Sequence, residues 1–328
     1  MNYRNLLLLA GLIALLFNQA CEEEKKLKSP STDITFSGKQ VNNIFISGEN
    51  ETWFCTDSGL YCKYNDQWYD YSMELPLGVN DIINYNGSFY IATDEVLIKA
   101  NLSNRYLNVQ EEFDLRELCG TGSFVSVLGI SPNANLWAGT DNGLCIFDGS
   151  EWSREENFNL KSSYSSSFAF SEAAYFIGTL GNYLVHYDPE TVDAISGASI
   201  LIPGFSGDLS EDSVYCTKFH DDGRLWYGTQ AGLTRNYGGT RVDSGIFEYF
   251  LEGYSVYSID FSSSGDVFAG TDSGLFILNG MEMTQLTEVD GVPDNHVVSL
   301  EVTSNNDVWI GTTRGLAKYS NGDIVIIP

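Results

Sequence analysis

The last repeat of the chain alternates apolar and polar stretches in an order that recurs upstream. Val297, Val298, Leu300 and Val302 form a largely apolar stretch, suited to a strand buried on both faces. Ser304-Asn305-Asn306-Asp307 is a cluster of turn formers. Val308 to Thr312 then reads as a second strand, Thr313-Arg314-Gly315 as a turn and Leu316 to Tyr319 as a third strand. Ser320 to Asp323 turns again, and Ile324 to Ile327 completes a four-strand unit. The same order is predicted from Val256 through Gly274-Leu275 to about Leu286, and from Val125 through Gly143-Leu144 to about Arg154. One tetrad marks the second strand: an aromatic residue, two small or apolar residues, then threonine. It occurs at Trp53–Thr56, Tyr90–Thr93, Trp137–Thr140, Phe176–Thr179, Trp226–Thr229, Phe268–Thr271 and Trp309–Thr312, with successive starts 37, 47, 39, 50, 42 and 41 residues apart.

A period of 40–50 residues rich in strand formers predicts an all-β chain, a seven-bladed β-propeller of four-stranded antiparallel blades. Glycine precedes the threonine in five copies (Gly139, Gly178, Gly228, Gly270, Gly311), with Cys55 and Ala92 in the other two. Only small residues occur there, which predicts a close approach between neighbouring sheets. Three residues after the threonine, Gly59, Gly143, Gly232, Gly274 and Gly315 supply freedom for a tight hairpin, Asn182 takes the place once, and Val96 marks a turn of another type. A single blade cannot bury both its faces, so stability is expected from stacking all seven in a closed ring. Closure requires the ends to meet, with Ile324–Ile327 as an outer strand and Asp33–Phe36 beside it or in its place.

The first residues change the picture of where the propeller resides. Arg4, the apolar run Leu6 to Phe17 and Ala20-Cys21 read as a secretory signal over residues 1–20, the run being too short to span a bilayer. A small residue followed by cysteine resembles a bacterial lipoprotein cleavage site, which implies that Cys21 carries the lipid. Asn18-Gln19 departs from the usual residues of such sites. Glu22-Glu23-Glu24 resembles the surface-export signal of some Gram-negative lipoproteins. Residues 21–32 are expected to form the lipidated cysteine and a flexible charged tether, and 33–328 the propeller. The expected location is the Gram-negative outer membrane, facing outward or into the periplasm, with membrane contact through the lipid alone.

Charge then narrows the partners. The chain carries 17 Lys and Arg against 44 Asp and Glu, a net charge of −27. That field repels nucleic-acid phosphates and attracts cations and basic groups, so no nucleic-acid partner is expected. Six cysteines include five besides Cys21, an odd number that leaves at least one unpaired within a monomer. Cys55 and Cys62 flank a hairpin expected at Ser58-Gly59 and are the disulfide candidate, with separate buried thiols as the alternative.

The fused pattern of aliphatic strand, polar turn, Leu-Trp-x-Gly-Thr and x-x-Gly-Leu resembles the two-component regulator propeller repeat. Asn135-Leu136-Trp137-Ala138-Gly139-Thr140-Asp141-Asn142-Gly143-Leu144 is the nearest copy, and Asp307 to Leu316 follows it. Gly291 to Val297 matches the linker that this family places before its innermost strand. The likeness covers roughly residues 41 to 328. In that family such propellers often form periplasmic sensors of hybrid histidine kinases, thought to read a ligand such as a glycan breakdown product. The resemblance implies recognition; the sequence given carries no kinase, receiver or DNA-binding segment.

Candidate chemistry gathers on one face of the expected ring, where the threonine-to-glycine turns and the blade linkers emerge. Asp57, Asp94, Asp141 and Asp272 open four of these turns, and Arg314 lies in a fifth. Two long linkers are expected there, about 109–123 with Glu111 and Glu112, and about 196–213 with Asp208 and Asp212. Such an acidic mouth suits a cation or a basic segment, although aspartate at such positions also serves to bond its own backbone. His296 is the one histidine placed near the mouth; His186 and His220 fall in other repeats without metal-ligand spacing. Exposed aromatics such as Tyr164 or Phe205 would favour sugar stacking. No cofactor is expected apart from Ca2+ as a candidate cation, and Asp221-Asp222-Gly223 lacks the ligand count of a calcium loop. The leading expectation is a module that binds a carbohydrate or peptide ligand, or an envelope protein partner, without turnover. The alternatives are a hydrolase or lyase with its site in the channel mouth, and a structural part of an envelope assembly.

Overall fold

The computed structural model describes residues 27–76, 78–121, 124–155, 164–172, 174–181, 184–187, 199–200, 213–236 and 247–328. Cys21, Phe205, Asp208 and Asp212 lie outside these residues. Seven four-stranded antiparallel sheets occupy residues 41–70, 79–113, 125–154, 164–200, 214–250, 256–286 and 297–327, each built from four consecutive strands. The innermost strands of successive blades are neighbours, and Val297–Val302 of blade 7 packs against Val41–Gly48 of blade 1. The wheel is therefore closed. No helix among the described residues is long and apolar enough to cross a membrane.

The threonine that ends each tetrad has a defined task. Its hydroxyl donates to the carbonyl three residues on, from Thr56 to Gly59 at 2.8 Å, Thr140 to Gly143 at 2.8 Å, Thr271 to Gly274 at 2.8 Å and Thr312 to Gly315 at 2.9 Å. The same oxygen accepts the N–H two residues on, from Ser58, Asn142, Ser273 and Arg314. One hydroxyl thus satisfies two turn groups that a two-residue hairpin would leave bare. Blade 2 keeps the turn length and differs in backbone conformation: the Thr93 hydroxyl donates to the Val96 carbonyl, again three residues on, at 2.7 Å and accepts from Glu95 N–H, but Val96 lacks the positive φ of Gly59, Gly143, Gly232 and Gly274.

The small residue before the threonine is required by the next blade. A Cβ on Gly228 would lie 2.5 Å from the Val256 carbonyl oxygen, and one on Gly270 would lie 2.8 Å from Val297 Cγ1. At the closure, a Cβ on Gly311 would lie 2.9 Å from Val41 Cβ. These glycines let each sheet press onto the innermost strand of its neighbour, where apolar side chains are fully buried.

Polar links join every innermost strand to the next. Asn42 Nδ2 donates to the Val79 carbonyl at 2.8 Å, Asn80 Nδ2 to Val125 at 3.0 Å, and Ser126 and Ser166 donate to the carbonyls of Ser165 and Val214. The Cys216 thiol faces the Val256 carbonyl at 3.7 Å, the Ser258 hydroxyl accepts from Leu300 N at 3.0 Å, and the Ser299 hydroxyl donates to Val41 at 2.7 Å. Two buried carboxylates each tie three blades. Asp81 accepts from Asn43 Nδ2 of blade 1 and from the backbone N–H of Leu128 in blade 3, at 2.5 and 2.7 Å. Asp260 accepts from Lys218 Nζ of blade 5 and the N–H of Val302 in blade 7, at 2.6 and 2.7 Å. Burial raises the Asp81 carboxyl to about 6, even though three donors oppose the shift.

The cysteine expectation is corrected. Cys119 is joined to Cys145, whereas Cys55 and Cys62 are separate buried thiols. The hairpin turns at Asp57-Ser58, because Thr56 pairs with Gly59; Cys55 therefore faces Leu60, and Cys62 faces Trp53. Both thiols pack in the apolar core beside Trp53 and Leu60. The disulfide instead holds a one-turn helix, Leu115–Cys119, against the third strand of blade 3, Gly143–Phe147.

The chain ends meet at the junction of blades 7 and 1. Asp323–Ile327 is the outer strand of blade 7, and residues 33–36 add no strand to it. The Phe36 N–H donates to the Pro328 carbonyl at 2.6 Å, Gly38 N–H to Arg314 at 3.0 Å, and the buried Phe36 ring lies 5.7 and 5.2 Å from those of Phe54 and Tyr61. Residues 28–31, expected within the flexible tether, are docked. Lys28 N–H donates to Asn104, Ser31 N–H to Trp68, and the Lys28 ammonium pairs with Glu74 and sits 4.0 Å from the Tyr71 ring centroid.

Candidate functional site

The first residue of each threonine turn is fastened beside the start of an innermost strand. The backbone N–H groups of Asp57, Asp94, Asp141 and Asp272 donate to the carbonyls of Gln40, Gly78, Phe124 and Ser255, at 3.1–3.2 Å. All four aspartates therefore ring one mouth of the channel. Asp57 and Asp94 are brought into a common cavity of about 370 Å3, together with Gln40 and Asn42 of blade 1 and Gly78 and Asn80 of blade 2. Phe124, Ser126 and Tyr164 close it from blades 3 and 4, and Val298 from blade 7.

This cavity has one polar wall and one aromatic wall. Asn80 Nδ2 donates to Asp94 Oδ1 at 3.1 Å as well as to Val125, so the amide fixes the carboxylate on the rim. Asn42 is held in the same way between Gln40 and the Val79 carbonyl. Across from them the rings of Phe124 and Tyr164 lie 6.0 Å apart. Burial, then the charges of Asp141 and Asp94, raise the Tyr164 phenol above its ordinary value, which reports a negative potential over the opening. A pocket that pairs ring faces with fixed amides and carboxylates can hold a polar ligand that also offers apolar surface.

The other arc of the mouth is built differently. Tyr215 and Tyr257 pack in a tilted arrangement with centroids 4.8 Å apart, and Tyr257 stacks on His296 at 4.6 Å. Their planes lie within 39° and 27° of parallel, so the faces between them are occupied by one another. Asp272 belongs to this arc, where its charge adds to burial and the Tyr257 phenol in raising Tyr215. Arg314 is exposed, with Nε 3.9 Å from Asp294 Oδ2.

Several expected residues sit elsewhere. Glu111 and Glu112 do not belong to a mouth linker: they lie on the outer strand of blade 2, Tyr106–Phe113, opposite Lys99 and Ile98. A charged run resembles a loop in sequence, but an outer strand with one face in water carries it equally well. Ser199–Ile200 pairs with Leu184–Tyr187 as the fourth strand of blade 4, so the linker expected from residue 196 starts later. His186 stacks on Phe176, and His220 sits edge-on to Phe261 beside Asp222. Neither approaches the mouth cavity. Among the described residues, no three His, Cys, Asp or Glu side chains are grouped to hold a metal ion. Phe124, Asn80 and Ser126, which line the cavity, were not signalled by the repeat: Asn80 and Ser126 are the second residues of the innermost strands of blades 2 and 3, and Phe124 immediately precedes the latter strand.

A family model described as two component regulator propeller matches residues 291–314. These residues include the linker into blade 7 and its tetrad. No curated protein sequence matches the chain. Among solved structures, it is similar to the extracellular domain of a hybrid two component system from B. thetaiotaomicron, with a TM-score of 0.70 and 18% identity over 90% of this chain and 42% of that one. The extracellular domain of a one component system from the same organism gives a TM-score of 0.68 and 17% identity over 89% and 40%. The WD40 β-propeller domain of Doa1 gives 0.58 and 14% over 89% and 95%. The chain thus spans about two fifths of the two bacterial domains. The chain is a seven-bladed β-propeller whose residues 291–314 match the two component regulator propeller model.

Proposed function

We propose that this propeller is a sensor-like recognition module of the bacterial envelope, which binds a carbohydrate or peptide ligand at its acidic mouth without turning it over. The observation that carries this reading is the cavity in which Phe124 and Tyr164 face Asp57, Asp94 and Asn80. Aromatic faces take the apolar side of a sugar ring or peptide side chain, while carboxylate and amide groups take its hydroxyls or amines. The similarity to extracellular domains of regulatory systems supports an envelope location, and the proposed lipid on Cys21 would anchor it to the outer membrane. Ca2+ is a candidate companion of the rim carboxylates. The test is a glycan and peptide binding screen of the full chain, with and without calcium. Tyr164→Ala and Asp94→Asn should each weaken the selected ligand about tenfold or more while leaving the melting temperature nearly unchanged. Binding that both variants retain would remove the mouth from consideration.

A further inference from the structure

The mouth cavity is charged in one sense only. Among the described residues, its lining includes Asp57 and Asp94 and neither lysine nor arginine. The Ser58 hydroxyl donates to Asp57 Oδ1 at 2.8 Å and the Asn80 amide to Asp94 Oδ1 at 3.1 Å, while the Oδ2 atoms of both accept nothing from any described residue. Asp94 is also fixed from below. Its backbone N–H donates to the Gly78 carbonyl at 3.1 Å, and a Cβ on Gly78 would collide with Asp94 Oδ2, so glycine there makes room for the carboxylate. Neighbouring cations are engaged elsewhere. Lys39 turns its ammonium to the Thr35 carbonyl and the Tyr61 ring. Arg116, which feels the Asp141 charge, is forked onto Asp114 through Nε and Nη2 at 3.2 and 2.9 Å, and Arg314 lies on the other arc near Asp294.

The second element is aromatic. The rings of Phe124 and Tyr164, 6.0 Å apart, stand across from these carboxylates. A ring face attracts an organic cation through its quadrupole and takes the methylenes beside the charge as well. Burial and then the charges of Asp141 and Asp94 raise the Tyr164 phenol, so the negative field reaches the rings. A neutral hydroxyl answers the hydrogen-bonding capacity of a carboxylate but leaves its charge uncompensated. An ammonium answers both, with three donors. The net charge of −27 adds attraction at longer range and repels anions.

We propose that the mouth ligand is a cation, whose protonated primary amine is taken by Asp57 and Asp94 while its adjoining apolar surface lies on Phe124 and Tyr164. The inference rests on the reading of the mouth as the binding site. An amino sugar and a lysine side chain of a peptide both supply this group, so the probes are two matched pairs. One is the glucosamine disaccharide against its N-acetylated form; the other is blocked Gly-Lys-Gly against its Nε-acetylated form. Each is titrated calorimetrically into the full chain. At least one amine should bind about tenfold or more tightly than its acetylated counterpart, and the preference should shrink as NaCl is raised. The pair that shows it identifies the source. Asp57→Asn/Asp94→Asn, at two exposed side chains, should keep the melting temperature and bring the members of that pair to similar affinity. Tyr164→Ala should weaken the amine at least tenfold. The proposal is overturned if neither amine binds, if the acetylated forms bind as tightly as the amines, or if the double variant keeps the preference. Equal binding of amine and acetylated probes that Tyr164→Ala still weakens would leave the mouth as a site for a neutral ligand and remove only the cationic reading. Affinities that neither variant changes would remove both.

Discussion

Reducing the Cys119–Cys145 bond should loosen the propeller by a calculable amount. The two cysteines are 26 residues apart, and the loop between them contains the linker into blade 3 and that blade's first two strands. Closing a loop of that length removes about 3.5 kcal/mol of chain entropy from the unfolded state, on the loop-closure model. Native contacts persist after reduction: Leu115 stays buried, the Thr121 hydroxyl donates to its carbonyl, and Arg154 Nη1 donates to Gly120. The loss should therefore fall mainly on the unfolded side, lowering the melting temperature by about 5–10 °C for a domain of this size. The assay is thermal unfolding of the wild type with and without reductant, beside Cys119→Ala/Cys145→Ala under both conditions. Reductant should destabilise the wild type and leave the double variant where it is. An unchanged wild type, or an equal response in the double variant, would refute the reasoning. Peptide mapping that links Cys55 to Cys62 would do so more directly.

Three further outcomes follow from the seams and the latch. Asp81 has a folded-state value of about 6, above its ordinary 3.8, so its contribution favours the native state at low pH and is lost as pH rises through about 6; Asp81→Asn should flatten that part of the stability profile, as urea midpoints at pH 5, 7 and 8 would reveal. Gly228→Ala should cost about 1–3 kcal/mol, because the new Cβ meets a backbone oxygen of blade 6, whereas Gly48→Ala, with nothing within 4 Å, should be nearly neutral by chemical denaturation. Phe36→Ala should cost about 3–5 kcal/mol and expose both termini to limited proteolysis, since the fully buried ring packs where the ends meet.

The ring was legible because its unit is local. Aromatic residue, small residue and threonine lie within four positions, and each has a task that contiguous backbone sets. The cysteine pairing was not legible, because moving the turn from Ser58-Gly59 to Asp57-Ser58 changes which residues face each other along the whole hairpin. The true pair joins a linker to a strand and leaves no local pattern. The rim aspartates could be placed because they follow the threonines. Phe124, Asn80 and Tyr164 become neighbours of Asp57 only when four blades are set around an axis, which no spacing within one repeat encodes. Glu111 and Glu112 misled for a related reason: charge reports contact with water, and outer strands share that property with loops.

The hydrogen bond between Phe36 and Pro328 has a topological consequence. Because the ends already touch, their position around the circle is a choice of wiring rather than of architecture. A short peptide could join residues 36 and 328, and new ends could be cut at an exposed turn such as Ser263-Ser264-Gly265 in blade 6. Such a circular permutant would keep all seven sectors and the mouth cavity while moving the break in the wheel to another spoke.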